Sequence, residues 1–134
     1  MKKIVRRVAA HTVRSFQCEI CGHGYPTKSQ ALKCEARVKE RRKFRKGDLV
    51  KGHELYVCVD GKKKNKFLPE GRITIVIGPT LPEYEYEVKW LGARPERLNG
   101  HIYLYEVTFE CLCGRTRSNV FRTPELVLVK SKNR

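Results

Sequence analysis

Residues 16–35 read Phe16-Gln17-Cys18-Glu19-Ile20-Cys21-Gly22-His23-Gly24-Tyr25-Pro26-Thr27-Lys28-Ser29-Gln30-Ala31-Leu32-Lys33-Cys34-Glu35, and three cysteines in this stretch decide how the first third of the chain folds. Cys18 and Cys21 form a Cys-x2-Cys followed at once by Gly22. Two thiolates at that spacing can face one metal ion if the chain turns back on itself, and glycine supplies the backbone freedom for the turn. Cys34 follows in a segment that reads as a helix. Thr27 is a good N-cap, Gln30 stands three places on as in a capping box, and Ala31, Cys34 and Val38 share one helical face. Cys34 then points back at the turn, which is what tetrahedral zinc requires of a third thiolate. His23 is the expected fourth ligand, ahead of His11, Cys111, Cys113 or water, because it needs no contact between modules. Two other readings stay open: three thiols packed as small apolar residues, and a redox dithiol.

The run from Phe16 to Glu35 resembles a Cys2His2-like zinc finger in which Cys34 takes the place of the first helical histidine. That resemblance implies a further ligand four or five places beyond Cys34, where this chain has Val38 and Lys39.

Beyond Val38 the helix is expected to continue through Lys39-Glu40-Arg41-Arg42-Lys43-Phe44-Arg45-Lys46, where six of eight residues are cationic. A helix dipole favours cations at the C-terminus but does not call for six. Phosphate contact is the better account, with Lys33, Arg37, Lys39, Arg41, Arg42, Lys43, Arg45 and Lys46 as the candidate residues. Lys62, Lys63 and Lys64 add a second basic cluster.

Over all 134 residues, 29 Lys/Arg against 14 Asp/Glu give a net charge of +15. Residues 1–46 hold 14 of those cations and three acids, so +11 of the surplus lies there. A composition boundary near Lys46-Gly47 divides the sequence into a basic, helix-leaning module (1–46) and a module rich in Val, Ile, Tyr and Phe (47–134). A surplus this large predicts a polyanionic partner, with nucleic acid foremost. No apolar run reaches the ~18–20 residues of a membrane span, and no continuous apolar signal region is visible. The expectation is a cytoplasmic protein with no membrane partner, whose six cysteines serve as metal ligands and buried thiols.

In the second module, Leu55–Val59, Gly71–Gly78, Tyr84–Trp90, His101–Cys113 and Leu126–Val129 read as strands. Ile73, Ile75 and Ile77 alternate on one face. So do Tyr84, Tyr86, Val88 and Trp90, and so do Tyr103, Tyr105, Val107, Phe109 and Cys111. Gly47-Asp48-Leu49-Val50, Gly71-Arg72-Ile73 and Tyr86-Glu87-Val88-Lys89-Trp90 together resemble an SH3-like barrel of the KOW or Tudor-like kind. The fold class expected is α+β: a zinc-finger-like module with a basic helix, then an SH3-like antiparallel β-barrel. The aromatic stripe reads as core more readily than as a base-stacking platform. Cys58, Cys111 and Cys113 can form a second metal cluster, although buried thiols are the preferred reading.

No phosphate-binding loop, nucleophile elbow, His-Glu-x-x-His or dinucleotide fingerprint occurs, and the four histidines do not group with acids. The expected function is therefore non-enzymatic, without a small-molecule substrate: binding of RNA or DNA through a zinc-stabilised basic module. The alternative is an adapter that docks on a protein machine such as the ribosome or RNA polymerase.

Overall fold

The computed structural model describes residues 2–8, 11–60 and 62–131, with side chains from residue 15 onward except at 60 and 63. In chain order the elements are β1 (Lys2–Val8), β2 (His11–Gln17), β3 (Gly24–Tyr25), α1 (Lys28–Glu35), β4 (Val38–Lys39), β5 (Leu49–Gly52), β6 (Tyr56–Asp60), β7 (Lys63–Phe67) and β8 (Glu70–Thr80). Then follow α2 (Tyr84–Trp90), α3 (Pro95–Leu98), β9 (Gly100–Glu110), β10 (Thr116–Arg122), a 3-10 turn (Thr123–Glu125) and β11 (Leu126–Lys130). The class is mixed α+β, dominated by sheet. Two compact units interleave along the chain, one from residues 1–40 and 78–102, the other from 41–77 and 103–134. Composition alone suggests a single cut near residue 46.

In the first unit, β1 and β2 pair antiparallel from Lys2 opposite Gln17 to Val8 opposite His11, and β3 adds to β2. Helix α1 starts where the capping signal places it. The Thr27 hydroxyl accepts the Gln30 backbone N–H at 3.3 Å and donates to the Gln30 side chain at 2.9 Å. Ala31 and Cys34 are its buried residues. The helix stops at Glu35, however, and the expected basic helix through Lys46 does not form. Val38 and Lys39 instead pair in parallel with Gly100 and His101, and Val38 is 63% exposed where helical periodicity puts it inward. Backbone pairing with a distant strand outweighs local propensity.

The alternating segment Tyr84–Trp90 is likewise a helix, not a strand. Glu85 and Glu87 occupy its first turn, where the dipole favours acids. Glu87, expected on the wet face, is buried and accepts two hydrogen bonds from Arg97 Nε at 2.6 and 3.1 Å, while Arg97 Nη1 reaches Glu40 at 3.0 Å. Burying this ion pair turns Tyr84 (68%) and Trp90 (65%) out to solvent, which reverses the expected faces.

In the second unit the sheet runs β10-β9-β8-β5-β11. The β10–β9, β5–β8 and β5–β11 ladders are antiparallel. No ladder joins β10 to β11 among the described residues, so the sheet is open where a closed barrel was expected. Strands β6 and β7 form a separate hairpin. Tyr105, Val107 and Phe109 point inward from β9, as their alternation requires, onto Phe44, Val50, Ile73 and Leu126. Of the isoleucines on β8 only Ile73 is buried; Ile75 and Ile77 face out. Gly71 is obligatory there, because a Cβ at that position falls 2.0 Å from the Thr108 carbonyl oxygen.

Phe44 meets Tyr105 edge-on, with ring centroids 5.2 Å apart, and is fully buried. Truncating it leaves a cavity beneath the sheet. Phe44→Ala should cost about 3–5 kcal/mol in urea denaturation. Ile75→Ala, on the exposed face, should stay within about 0.5 kcal/mol.

Candidate metal centre

The turn after β2 is closed by its own backbone. The Gly22 N–H donates to the Cys18 carbonyl at 2.8 Å and the Cys18 N–H to the His23 carbonyl at 2.9 Å, with Gly22 at φ +80°. The N–H groups of Cys21 and Ile20 point at the Cys18 sulfur. Burial works against ionising this thiol, but those N–H groups hold it below its ordinary value. Cys34 faces the same point from α1, and burial pushes its thiol up to about 12. Burial and the neighbouring Cys34 also raise the Tyr25 hydroxyl to about 12.

The fourth member is His101. A ring nitrogen of His101 and the sulfurs of Cys18, Cys21 and Cys34 all lie within 4.8 Å of one another. Cys21 and Cys34 sulfurs are 3.6 Å apart, and His101 Nε2 lies 3.4 Å from the Cys34 sulfur and 3.8 Å from that of Cys18. Tetrahedral zinc with Zn–S bonds of about 2.3 Å and Zn–N of about 2.0–2.1 Å sets sulfurs about 3.8 Å apart and sulfur and nitrogen about 3.6 Å apart. Each of the three spacings falls within about 0.2 Å of its edge. His101 is completely buried, and its ring is held neutral by burial first and by the charges of Arg37 and Lys39 after it. A neutral imidazole can lend the Nε2 lone pair while Nδ1 keeps the proton, and Nδ1 is buried without a partner among the described residues. The donor set fits a metal ion.

Local backbone delivers His101 to this point. A Cβ on Gly100 would stand 2.5 Å from the Glu96 carbonyl oxygen and 2.7 Å from that of Val38, so only glycine lets β4 run alongside. The Glu40 N–H closes the pairing on the His101 carbonyl at 2.8 Å. Arg37 donates from Nη1 to the carbonyls of Leu98 at 3.2 Å and Gly100 at 3.3 Å.

The expected ligand His23 is exposed, its ring against Tyr25 at 4.7 Å, outside the cluster. The side chain of His11, the other nearby histidine, lies outside the described residues, as does that of Lys63. Of the predicted phosphate contacts, Arg37 is half-buried and engaged with backbone, whereas Lys33 and Lys39 in the first unit are exposed. In the second unit Arg41, Arg42, Lys43, Arg45, Lys46, Lys62 and Lys64 are exposed. A second sulfur cluster, Cys58, Cys111 and Cys113, gathers there and can also hold a metal ion. Sequence reasoning missed His101 because no local motif links it to Cys18, 83 positions away. One signal was present: His101 shares the inward alternation of Tyr105, Val107 and Phe109 on β9.

Cobalt(II) added to the metal-stripped protein should give the visible d–d bands of a tetrahedral thiolate site. His101→Ala should weaken and shift those bands, and His23→Ala should leave them unchanged. The reverse pattern would restore His23 as the ligand.

Comparison with protein-family models, with curated proteins and with solved structures gives no match.

Proposed function

We propose that this is a non-enzymatic nucleic-acid-binding protein whose first unit is held by a structural zinc ion on Cys18, Cys21, Cys34 and His101. Four protein donors would complete a tetrahedron around the ion and leave no position for a substrate, which supports a structural role over a catalytic one. Among the described side chains of the first unit the buried apolar residues are Cys18, Ala31, Cys34 and Ile102, a small core, so the metal would supply much of its folding free energy.

One observation carries the nucleic-acid reading: the way the basic segment is presented in the second unit. Phe44 is buried in the core while Arg41, Arg42, Lys43, Arg45 and Lys46 around it are exposed. The Lys43 N–H donates to the Tyr105 hydroxyl at 3.3 Å, and the Arg45 N–H donates to the buried Asp48 carboxylate at 2.9 Å. The backbone is therefore fixed while the cationic heads stay in water. Arg42, Arg45 and Lys46 line a groove of about 520 Å³ with Thr74, Ile75 and Val76. Guanidinium groups carried by an anchored backbone along an open groove suit bidentate contact with phosphate. A helix is not needed for this; an anchored extended segment presents the same charges.

The alternative, docking on a protein machine such as the ribosome or RNA polymerase, draws on α2. Tyr84, Val88 and Trp90 are exposed on that short helix, more apolar surface than a solvated helix needs. Two variants separate the readings. Replacing Arg41, Arg42 and Lys43 by Glu should weaken nucleic-acid binding steeply without removing the contacts of Arg45 and Lys46, and Trp90→Glu should spare it while disrupting capture of a protein partner.

With five phosphate contacts, log affinity for duplex or single-stranded nucleic acid should fall with log salt at a slope of about −4.5. The triple Glu variant should lose about three units of that slope. Weak binding with a flat salt dependence would refute the proposal. Titration of matched RNA and DNA oligomers at several salt concentrations provides the measurement.

A further inference from the structure

The three cysteines of the second unit lie in separate pieces of chain. Cys58 is in the middle of β6, Cys111 follows the end of β9, and Cys113 sits in the turn leading to β10. Their sulfurs nevertheless all lie within 4.8 Å of one another, close enough to share one ion. Cys58 and Cys111 are buried and Cys113 is half-buried. Buried thiols elsewhere in proteins usually pack singly as small apolar residues. Three converging on one point is a different arrangement.

The backbone around Cys111 repeats the device seen at Cys18, one residue shorter. The Gly114 N–H donates to the Cys111 carbonyl at 2.8 Å, as Gly22 does to Cys18. The Cys111 N–H donates to the Arg115 carbonyl at 2.8 Å, as Cys18 does to His23. Gly114 takes φ +88°, close to the +80° of Gly22. In each turn the N–H of the second cysteine points at the sulfur of the first. Such a turn aims two sulfurs at one external point, with a backbone N–H directed at the first of them. Around the first turn that point is completed by Cys34 and His101, and around the second by Cys58.

Charge favours the same conclusion. The Arg117 guanidinium lies against Cys111 and Cys113, and its Nε is buried with no partner among the described residues. Three thiolates around a divalent ion carry a net charge of −1, which one guanidinium neutralises. Binding would release the three thiol protons to solvent as the three metal–sulfur bonds form, with no change of oxidation state. All-sulfur donors select a soft or borderline ion such as zinc over magnesium or calcium.

We propose that Cys58, Cys111 and Cys113 form a second zinc site, built on a shortened copy of the first site's turn and balanced by Arg117. The ion would tie the β6–β7 hairpin to the end of β9, where Tyr56 and Phe67 already pack on Phe109 at ring distances of 5.2 and 6.2 Å.

The test is zinc stoichiometry of the full chain, measured by elemental analysis alongside a count of free thiols. Wild type should hold two zinc ions and six reduced cysteines. Cys113→Ser, at the half-exposed position least able to disturb folding, should hold one, and Cys58→Ser should match it. Cys34→Ser should also retain one ion, that of the second site. Arg117→Ala keeps every thiol, and one of its two ions should pass to a competing chelator about tenfold more readily. A single ion retained in Cys113→Ser and lost in Cys34→Ser would overturn this site and leave the first intact. A single ion with the opposite pattern would overturn the first site and leave this one. A disulfide between any two of the three cysteines would overturn the second site outright.

Discussion

The carbonyl oxygen of Val38 and the bare Cα of Gly100 set the arrangement of the first unit. A side chain at residue 100 would meet that oxygen at 2.7 Å, so β4 can lie against the start of β9 only because glycine is there. The pairing draws the chain out of helix α1 two residues beyond Glu35. It also places His101 against the thiols. Replacing the glycine would displace both features together, since they depend on one backbone approach.

Much of this was legible in local sequence. The Cys-x2-Cys-Gly turn, the Thr27 cap and the inward placement of Cys34 rest on interactions spanning a few residues, and they occur where spacing puts them. The inward alternation of Tyr105, Val107 and Phe109 on β9 was legible for the same reason. Three things were not. His101 enters the cluster through a parallel pairing that periodicity does not report. The segment Tyr84–Trp90 alternates strictly, yet its decisive residue is Glu87, whose buried bond to Arg97 lies ten positions on. Helical propensity beyond Val38 was real but weak, and strand pairing outweighed it. Each miss has one cause, a partner distant in sequence whose contact is worth more than local preference.

Charge in this molecule divides between two environments. Arg97 is buried between two carboxylates, and removing its guanidinium would leave the buried Glu87 carboxylate uncompensated in low dielectric. The cations around Phe44 are the opposite case: no carboxylate lies within ion-pair distance of them among the described residues, and only their backbone is fixed. A chain of net charge +15 carries self-repulsion that a bound polyanion would relieve. A bound polyanion would stabilise the fold by mass action as well as by relieving that repulsion.

The first unit is assembled from two stretches of chain, 1–40 and 78–102. During synthesis Cys18, Cys21 and Cys34 leave the ribosome well before His101 does. For that interval the nascent chain displays a three-sulfur half-site, able to take up an ion with water in the remaining position. Arrival of His101 would close a loop between residues 83 positions apart, and a cross-link of that span removes about 4–5 kcal/mol of unfolded-chain entropy on the loop-closure scale. Metal capture and completion of the first unit would thereby be separated in time, with His101 as the latch that ends the process.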